Sequence, residues 1–313
     1  MNEGPKVSII VPAHNEEENI PLLLEKFSEM FNDSNLSGEV ILVDDGSTDK
    51  TFLLAQEYQK KYPFLKVLSH RTNRGITDAL VTGFKNSSGK IFVFWPADLQ
   101  YLPSDIPKLI DKIEQGFDVI CGWKEGNYGI KRFVSFIYNT LSRWIFGIKV
   151  HDLNSVKAFR RKIVEEIPIL RKDWHRYMVV MAKEKGFKID EVRIKLYPRK
   201  YGRSKFGFWR IPIGFLDLLS VKFQLSFMKK PMLLFGSSGI ILLLLGILAG
   251  LIALYLRIFL NQGYRPLLYL VLLCMLLGFS SFALGFLAEA ITGLRDEIHW
   301  FKEKGDGSKN GMK

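Results

Sequence analysis

The chain has 313 residues, 44 Lys and Arg against 32 Asp and Glu for a net charge of +12, and 48% hydrophobic residues. That length accommodates a full α/β domain plus a smaller part. The basic excess is not gathered into a nucleic-acid-binding module, so nucleic acid is set aside as a partner in favour of an anionic membrane face. The two cysteines, Cys121 and Cys274, fall in an expected strand and an expected membrane span. This excludes a disulfide framework and fits a reducing compartment.

Met1–Pro5 carries no charged-then-apolar leader, so no cleavable signal is expected. Lys6–Pro12 (KVSIIVP) is a β-branched apolar run and reads as a buried parallel strand. Asn15 opens a helix through about Phe31, with Glu16, Glu17 and Glu18 in a first turn that suits the helix dipole. Further strands are expected at Glu39–Val43, Leu65–Ser69, Lys90–Trp95 and Asp118–Gly122. Helices are expected at Thr51–Tyr62 (Asp49 as N-cap), Ile76–Lys85 and Ser104–Gln115. This alternation argues for a doubly wound, mainly parallel sheet.

After Gly129 the pattern changes. Ile130–Ile148 and Phe206–Phe227 are aromatic-rich, basic and amphipathic, either lying in a membrane interface or packing on the sheet. Trp174–Lys185 reads as a helix, in which His175 and Arg176 either touch a ligand or cap and pack. Pro231–Leu256 and Leu267–Ala288 are free of charge, and each is long enough to cross about 30 Å of hydrocarbon. The short link Arg257–Pro266 makes them a hairpin, and flanking Lys222, Lys229, Lys230, Lys302 and Lys304 favour cytoplasmic termini. Glu289 and Arg295 are expected as interfacial anchors, with a functional intramembrane carboxylate as the alternative. Gly246 and Gly250 offer a Gly-x-x-x-Gly face for homo-oligomerisation. The tail from Gly305 is polar, Gly-rich and expected to be disordered. The expected division is therefore an α/β domain at 1–205, a juxtamembrane helix at 206–230, a hairpin at 231–293 and a tail at 294–313.

Two motifs put carboxylates where runs of β-formers stop: Val43-Asp44-Asp45-Gly46-Ser47-Thr48-Asp49 and Phe94-Trp95-Pro96-Ala97-Asp98-Leu99-Gln100. Ligands bind at the carboxyl ends of parallel strands. Acidic groups there are placed to hold a divalent cation and a ribose hydroxyl, the two handles of a nucleotide-sugar. Taken singly, each has a plainer reading: Asp44-Asp45 as an Asx-type turn, Asn73-Arg74-Gly75 as a turn into a helix, Asp98 as a local backbone cap.

The ordered series Val11-Pro12-Ala13-His14-Asn15-Glu16, Val43–Thr51, Asn73-Arg74-Gly75 and Ala97-Asp98-Leu99-Gln100 resembles the family 2 glycosyltransferases over most of the first 230 residues. Asp152-Leu153-Asn154-Ser155-Val156-Lys157-Ala158-Phe159-Arg160 and Arg199-Lys200-Tyr201-Gly202-Arg203-Ser204-Lys205 resemble segments of its polyprenyl-phosphate (dolichyl- or undecaprenyl-phosphate) sugar synthases. The Gln-x-x-Arg-Trp motif of processive synthases is absent. The resemblance implies a GT-A fold. In it, Pro12, Ala13, His14, Glu16, Val43 and Asp45 line the nucleoside pocket, Asp44 is strand-end support or a second polar contact, and Pro96, Ala97, Asp98 and Gln100 meet the donor. It further implies that Asp98 and Gln100 contact Mg²⁺ or Mn²⁺. Arg199, Ser204 and Lys205 hold phosphate with Lys124 and Arg132 as additional contacts, and Asp152 orients the acceptor phosphate or the sugar. The plainer alternative for Arg199–Lys205 is a basic loop touching lipid headgroups. Two departures stand out: Pro96 replaces the first acid of a common Asp-x-Asp pair, and Val156 stands where Gly is frequent.

The resemblance implies inverting transfer of one sugar, with UDP-glucose leading among nucleotide-sugars, to polyprenyl phosphate at the cytoplasmic membrane face. The alternative is a catalytically weak, membrane-anchored nucleotide-sugar-binding or partner protein, which the loss of a carboxylate at Pro96 would favour.

Overall fold

The structure, a computed structural model, describes residues 5–125, 130–167, 174–201, 210–226 and 230–310. The chain divides into two compact units, 1–215 and 216–313.

The first unit is built on β1 (Val7–Ala13), β2 (Gly38–Asp44), β3 (Leu65–Ser69), β4 (Ile91–Phe94), β5 (Val119–Glu125), β6 (Lys157–Arg160) and β7 (Ile189–Lys195). They form one sheet in the order β3-β2-β1-β4-β6-β5-β7. β6 runs antiparallel to both its neighbours, and every other pairing is parallel. The helices are α1 (Ile20–Ser34), α2 (Thr51–Lys61), α3 (Ile76–Lys85), α4 (Ile106–Glu114), α5 (Ile130–Phe146), α6 (Arg161–Glu166) and α7 (Met178–Glu184). Short 3₁₀ turns at Pro103–Asp105 and Trp174–Tyr177 lead into α4 and α7.

Alternating strand residues feed two cores. Val7, Ile9, Val11, Val40 and Leu42 pack with Ile20, Leu23 and Phe27 of α1 and with Leu109 and Ile113 of α4. On the other face, α3 lies so close to β1 that a Cβ on Gly83 would stand 2.3 Å from Ile10 Cγ2. Phe84 meets Phe92 and Phe159 there, at centroid distances of 5.1 and 5.8 Å. α1 starts five residues later than its acidic run suggests. Asn15 takes φ +56°, and Pro21 enters the first helical turn, where its missing N–H costs nothing. β6 and β7 have no counterpart among the expected strands: β6 is only four residues long, and in β7 four of seven residues are charged, with the adjacent Asp190-Glu191 breaking the alternation.

The register opens a cleft. β1 pairs with β2 as far as Ala13↔Asp44, but with β4 only as far as Ile10↔Phe94. Ile10 O accepts from Trp95 N at 3.0 Å and Ala13 O from Asp45 N at 2.8 Å. The intervening Pro12 therefore directs its ring nitrogen toward the β4 side after that ladder has ended, where no donor is needed. Strand order also reverses between β1 and β4, the switch point at which open α/β sheets bind ligands. Because β6 is reversed, its amino end joins the carboxyl ends of the other strands at this edge.

α8 (Arg210–Ser226), α9 (Pro231–Phe259) and α10 (Arg265–Asn310) complete the chain. α9 has 29 residues and Arg265–Arg295 of α10 has 31, and the most apolar stretch of each has a mean hydropathy of 2.8 and 2.4. α9 thus spans about 43 Å, ample for a bilayer core. The two helices form a hairpin-like pair packed through small residues. A Cβ on Gly239 would lie 2.7 Å from Gly278 O, and one on Gly246 would lie 3.2 Å from Cys274 Cβ. Gly246 and Gly250 therefore face α10 within the chain, so self-association of the hairpin needs another face. Ser281 Oγ donates to Phe235 O at 3.0 Å, and Glu289 Oε2 accepts from Met232 N at 3.1 Å. Glu289 thus occupies the amino end of α9, where a carboxylate satisfies an orphan donor and opposes the helix dipole. α10 stays helical to Asn310, past the point where Gly305 and Gly307 suggest disorder; no Pro interrupts it.

Candidate active site

The β1–β2–β3 side is tied by backbone donors. Asp45, 4% exposed, accepts from Arg74 N at 2.9 Å and His70 Nδ1 at 2.8 Å on Oδ1, and from Gly75 N at 2.8 Å on Oδ2. Burial raises its carboxyl, but the Arg74 and Gly75 amides and the His70 ring outweigh it and hold the group below the ordinary carboxylate range. His70 Nε2 meets Thr82 Oγ1 at 2.9 Å, fixing the imidazole at both nitrogens. Gly46 makes the turn at φ +65°, where a Cβ would lie 2.4 Å from the Thr72 carbonyl carbon. Only glycine fits both constraints. Asp44 Oδ2 accepts from Ser69 Oγ at 3.0 Å, which ties the end of β2 to the end of β3. Just beyond the paired ends of β1 and β2, His14 Nδ1 lies 2.9 Å from Asp45 O, and Asn15 Oδ1 accepts from Thr48 N at 2.8 Å. Glu16 receives Asn19 Nδ2 at 2.7 Å. Pro12, Ala13, His14, Glu16, Val43, Asp44 and Asp45 therefore gather at one corner of the sheet edge.

The β4–β6–β5–β7 side is built from ion pairs. After β4, Pro96-Ala97 lead to Asp98, which is 9% exposed; Leu99 turns the chain at φ +54°. Asp98 Oδ2 accepts from Arg199 Nη2 at 2.6 Å, while Oδ1 takes only a 3.3 Å bond from Gln100 N. Tyr197 N donates to Gln100 O at 2.9 Å, which clips the Asp98 turn to the segment carrying Arg199. Before β6, Asp152 is 5% exposed; its Oδ2 pairs with Lys124 Nζ at 3.0 Å and its Oδ1 caps Asn154 N at 2.8 Å. Tyr101 OH and Ser155 Oγ, 3.3 Å apart, link the two loops. Asp98, Gln100, Arg199, Asp152 and Lys124 are thus brought together as two linked pairs. Ser204 and Lys205 lie outside the described residues. Arg132 belongs to α5, its side chain outside those described.

Sequence reasoning missed several members. His70 follows β3 directly opposite Asp45, and its signal was a lone His at a strand end beside Asn73-Arg74-Gly75. Lys157 is 2% exposed, donates to Ser155 O at 3.0 Å and lies over the Phe94 ring at 5.9 Å. Burial pushes its ammonium down to about 8 and pushes the neighbouring Cys121 thiol up to about 12. Nothing in the local pattern marks Lys157 as interior, because β6 itself was not visible. His175 is buried, 3.0 Å from Thr77 Oγ1 and edge-on to Phe94, which favours the packing reading. Val156 is a core residue set against Gly122, whose added Cβ would stand 2.8 Å from Val156 Cγ2.

The glycosyl transferase family 2 model matches residues 8–167, the stretch that carries β1 to β6 and both carboxylate loops. The chain belongs to glycosyltransferase family 2. A dodecaprenyl-phosphate galacturonate synthase of Rhizobium johnstonii is 32% identical over 308 residues, 93% of this chain and 90% of the relative. An undecaprenyl-phosphate 4-deoxy-4-formamido-L-arabinose transferase of Photorhabdus laumondii is 29% identical, with 94% and 90% covered. A dolichol-phosphate mannosyltransferase of Pyrococcus furiosus is 32% identical over 64% of this chain and 59% of its own. The glucosyl-3-phosphoglycerate synthase of Mycobacterium tuberculosis, solved with Mn²⁺, UDP and its product, superposes with a TM-score of 0.57 at 20% identity, covering 70% of this chain and 80% of that one. The fold is therefore GT-A, and this family 2 enzyme is a glycosyltransferase whose relatives are polyprenyl-phosphate sugar synthases.

Members of the fold are solved with Mn²⁺ or Mg²⁺. Among the described residues no group of three or more His, Cys, Asp or Glu converges on one point. Asp98 Oδ1 and the Gln100 amide oxygen remain as donors while Oδ2 serves Arg199. One carboxylate and one amide fit a hard divalent ion that draws its remaining ligands from phosphate and water.

Proposed function

We propose that this enzyme transfers a single sugar from a nucleotide-sugar to polyprenyl phosphate at the cytoplasmic face of a membrane, with inversion at the anomeric carbon. The observation that carries the reading is the pairing of each carboxylate on the β4–β6 side with a cation. Asp98 holds Arg199 and Asp152 holds Lys124, at a cleft whose other side is lined by the Asp45 network. Both substrates are phosphates, and a carboxylate-held guanidinium or ammonium is a pre-aimed phosphate contact.

On this reading the Asp45 corner receives the nucleoside, with Pro12, Ala13, His14, Glu16 and Val43 around it. Asp98 and Gln100 would hold Mg²⁺ or Mn²⁺, which when bound neutralises charge on the nucleoside diphosphate. Arg199 adds a bidentate donor to the diphosphate or the acceptor phosphate; Ser204 and Lys205 follow it in sequence toward the same role. Polyprenyl phosphate is already an anionic oxygen nucleophile, so no strong base is required and catalysis rests on alignment and charge stabilisation. Asp152 orients the acceptor phosphate through Lys124, with Arg132 as a further cation.

A lipid acceptor keeps its tail in the bilayer. The exposed Phe136, Ile137 and Trp144 of α5 (Trp144 is 82% exposed) and Phe215, Leu216 and Leu219 of α8 suit an interfacial position. The positive charges flanking α9 and α10 favour cytoplasmic termini and a multi-pass membrane protein. Self-association, if present, uses a face other than Gly246–Gly250. UDP-glucose is the leading donor. A uronic acid donor is the second reading, favoured by the likeness to a galacturonate synthase over nearly the whole chain.

The test is transfer of label into organic-extractable lipid by purified protein with polyprenyl phosphate, Mg²⁺ or Mn²⁺, and a donor panel that includes UDP-glucose and UDP-galacturonate. One donor should label lipid, and Asp98→Ala should lower the rate by about 10²–10³-fold. Donor binding without labelling by any donor would support the binding-protein alternative; full activity of the Asp98 variant would remove the site assignment.

A further inference from the structure

One residue before each member of the Lys124–Asp152 pair stands a member of a second pair. Trp123 and His151 stack with ring centroids 4.0 Å apart and planes 6° apart. His151 is held by Glu191 of β7 twice over. Its backbone N donates to Glu191 Oε2 at 2.8 Å, and its Nδ1 meets Oε1 at 2.5 Å. Glu191 is itself held in the β5–β7 ladder, where Cys121↔Glu191 are register partners. Arg193 also lies against the indole, its guanidinium carbon 4.8 Å from the ring centroid, and it pairs with Glu125 at 3.2 Å.

We propose that Glu191 is a positioning residue that sets Asp152 through His151. A carboxylate that receives both a backbone N–H and the ring of one residue fixes that residue's backbone and its χ angles together. The stack on Trp123 then removes rotation of the imidazole plane. With residue 151 pinned to β7 and β5, the only backbone freedom left to Asp152 before β6 is its own. That freedom is taken up by the Asp152 Oδ1 bond to Asn154 N and the Oδ2 pair with Lys124. Lys124 follows Trp123 directly, so both partners of the pair inherit their positions from one stacked and stapled neighbour. The family motif begins at Asp152 in the sequence. The staple lies one residue outside it, with its anchor on a strand that is distant in sequence. The inference rests on the reading of Asp152 as an acceptor-orienting group.

The experiment uses the full chain in detergent micelles or nanodiscs. In Glu191→Ala, kcat for lipid labelling should fall by about 10-fold to 100-fold, the scale of a small misplacement of an orienting group. KM for the nucleotide-sugar should stay within about 2-fold, because the Asp45 corner is untouched. Glu191→Gln, which keeps an acceptor for one of the two N–H groups, should recover part of the loss and guards against a folding defect. Residue-resolved hydrogen exchange should show faster exchange at Asn154 N as well as at His151 N, since the former depends on where Asp152 sits. In an Asp152→Asn background, Glu191→Ala should cost little more. Unchanged kcat in Glu191→Ala, unchanged Asn154 exchange, or an equal loss in the Asp152→Asn background would each overturn the proposal. Full activity of Asp152→Asn alone would instead overturn the acceptor reading, and the exchange data would still report whether the staple holds residue 152.

Discussion

The two sides of the cleft use the same side chain, a buried carboxylate, in opposite ways. On the β1–β2–β3 side, Asp45 is satisfied by the Arg74 and Gly75 amides and by a His70 ring that is itself anchored. These donors belong to the fold and cannot leave. On the β4–β6 side, Asp98 and Asp152 are satisfied by Arg199 and Lys124, long side chains that can trade a carboxylate for a phosphate. Backbone-saturated acids give a fixed shape that a nucleoside can fit without rearrangement, which limits the entropy cost of binding. Cation-paired acids give charge that is already oriented yet exchangeable, which suits the proposed transfer between two phosphate-bearing substrates.

The comparison can be broken first at Arg199. Arg199→Ala should reduce transfer by about 10²-fold, and Arg199→Lys should recover little, because the planar fork is lost. Wild-type rates in steady-state assays of both variants would mean that the Asp98 pair is only structural. On the fixed side the large effect should be on stability. Asp45→Asn turns one acceptor into a donor facing the Gly75 N–H and should lower the unfolding free energy by about 1–3 kcal/mol, read by denaturant titration at pH 7. The carboxyl of Asp45 is held low, so its contribution is present above the ordinary carboxylate range and is lost as pH falls through the lowered value. The Asn variant should therefore lose less stability than wild type on that acid limb, and an identical limb would show that Asp45 is not the group that matters.

The smallest effect sharpens the picture beneath the cleft. Lys157 binds its proton less tightly when folded than when unfolded, with a folded value of about 8 against 10.5. Between those values the unfolded chain holds more protons, so stability should rise with pH from about 8 upward. Cys121, shifted from 9.0 to about 12, has the opposite sign and should offset that gain above pH 9. Lys157→Met should flatten the rise between pH 8 and 9 and raise the apparent melting temperature at pH 7 by a few degrees. A variant with the same slope as wild type would locate the titration elsewhere.

How far the sequence alone reaches follows the same division. The first five strands and α3 are local: each is a short apolar run or an amphipathic stretch bounded by turn residues, and period and composition suffice to find them. Asp44, Asp45 and Asp98 were legible because they stop such runs. β6 and β7 were not, since four residues of KAFR and the charge-rich IDEVRIK become strands through their neighbours on the sheet. With β6 hidden, the burial of Lys157 was hidden too, as were the pairings Asp98–Arg199 and His151–Glu191, which join residues 101 and 40 positions apart. Glu289 was visible as an acid near the end of the second span, expected as an interfacial anchor, but its partner, the first turn of α9, is 57 residues away.

The reversal of β6 also bears on how such an enzyme diversifies. A parallel strand leaves the active edge and must cross the sheet before returning, so its connection is committed to the scaffold. The segment from the end of β5 to the start of β6 leaves that edge and comes back to it, carrying α5 as an excursion that the sheet does not thread. Such an excursion can lengthen, shorten or change its exposed face while the ladder of β4, β6 and β5 is undisturbed. Exchanging residues 126–150 between relatives should therefore alter acceptor choice and leave the donor corner intact. In this architecture a new lipid or soluble acceptor is an edit to one loop rather than the invention of another fold.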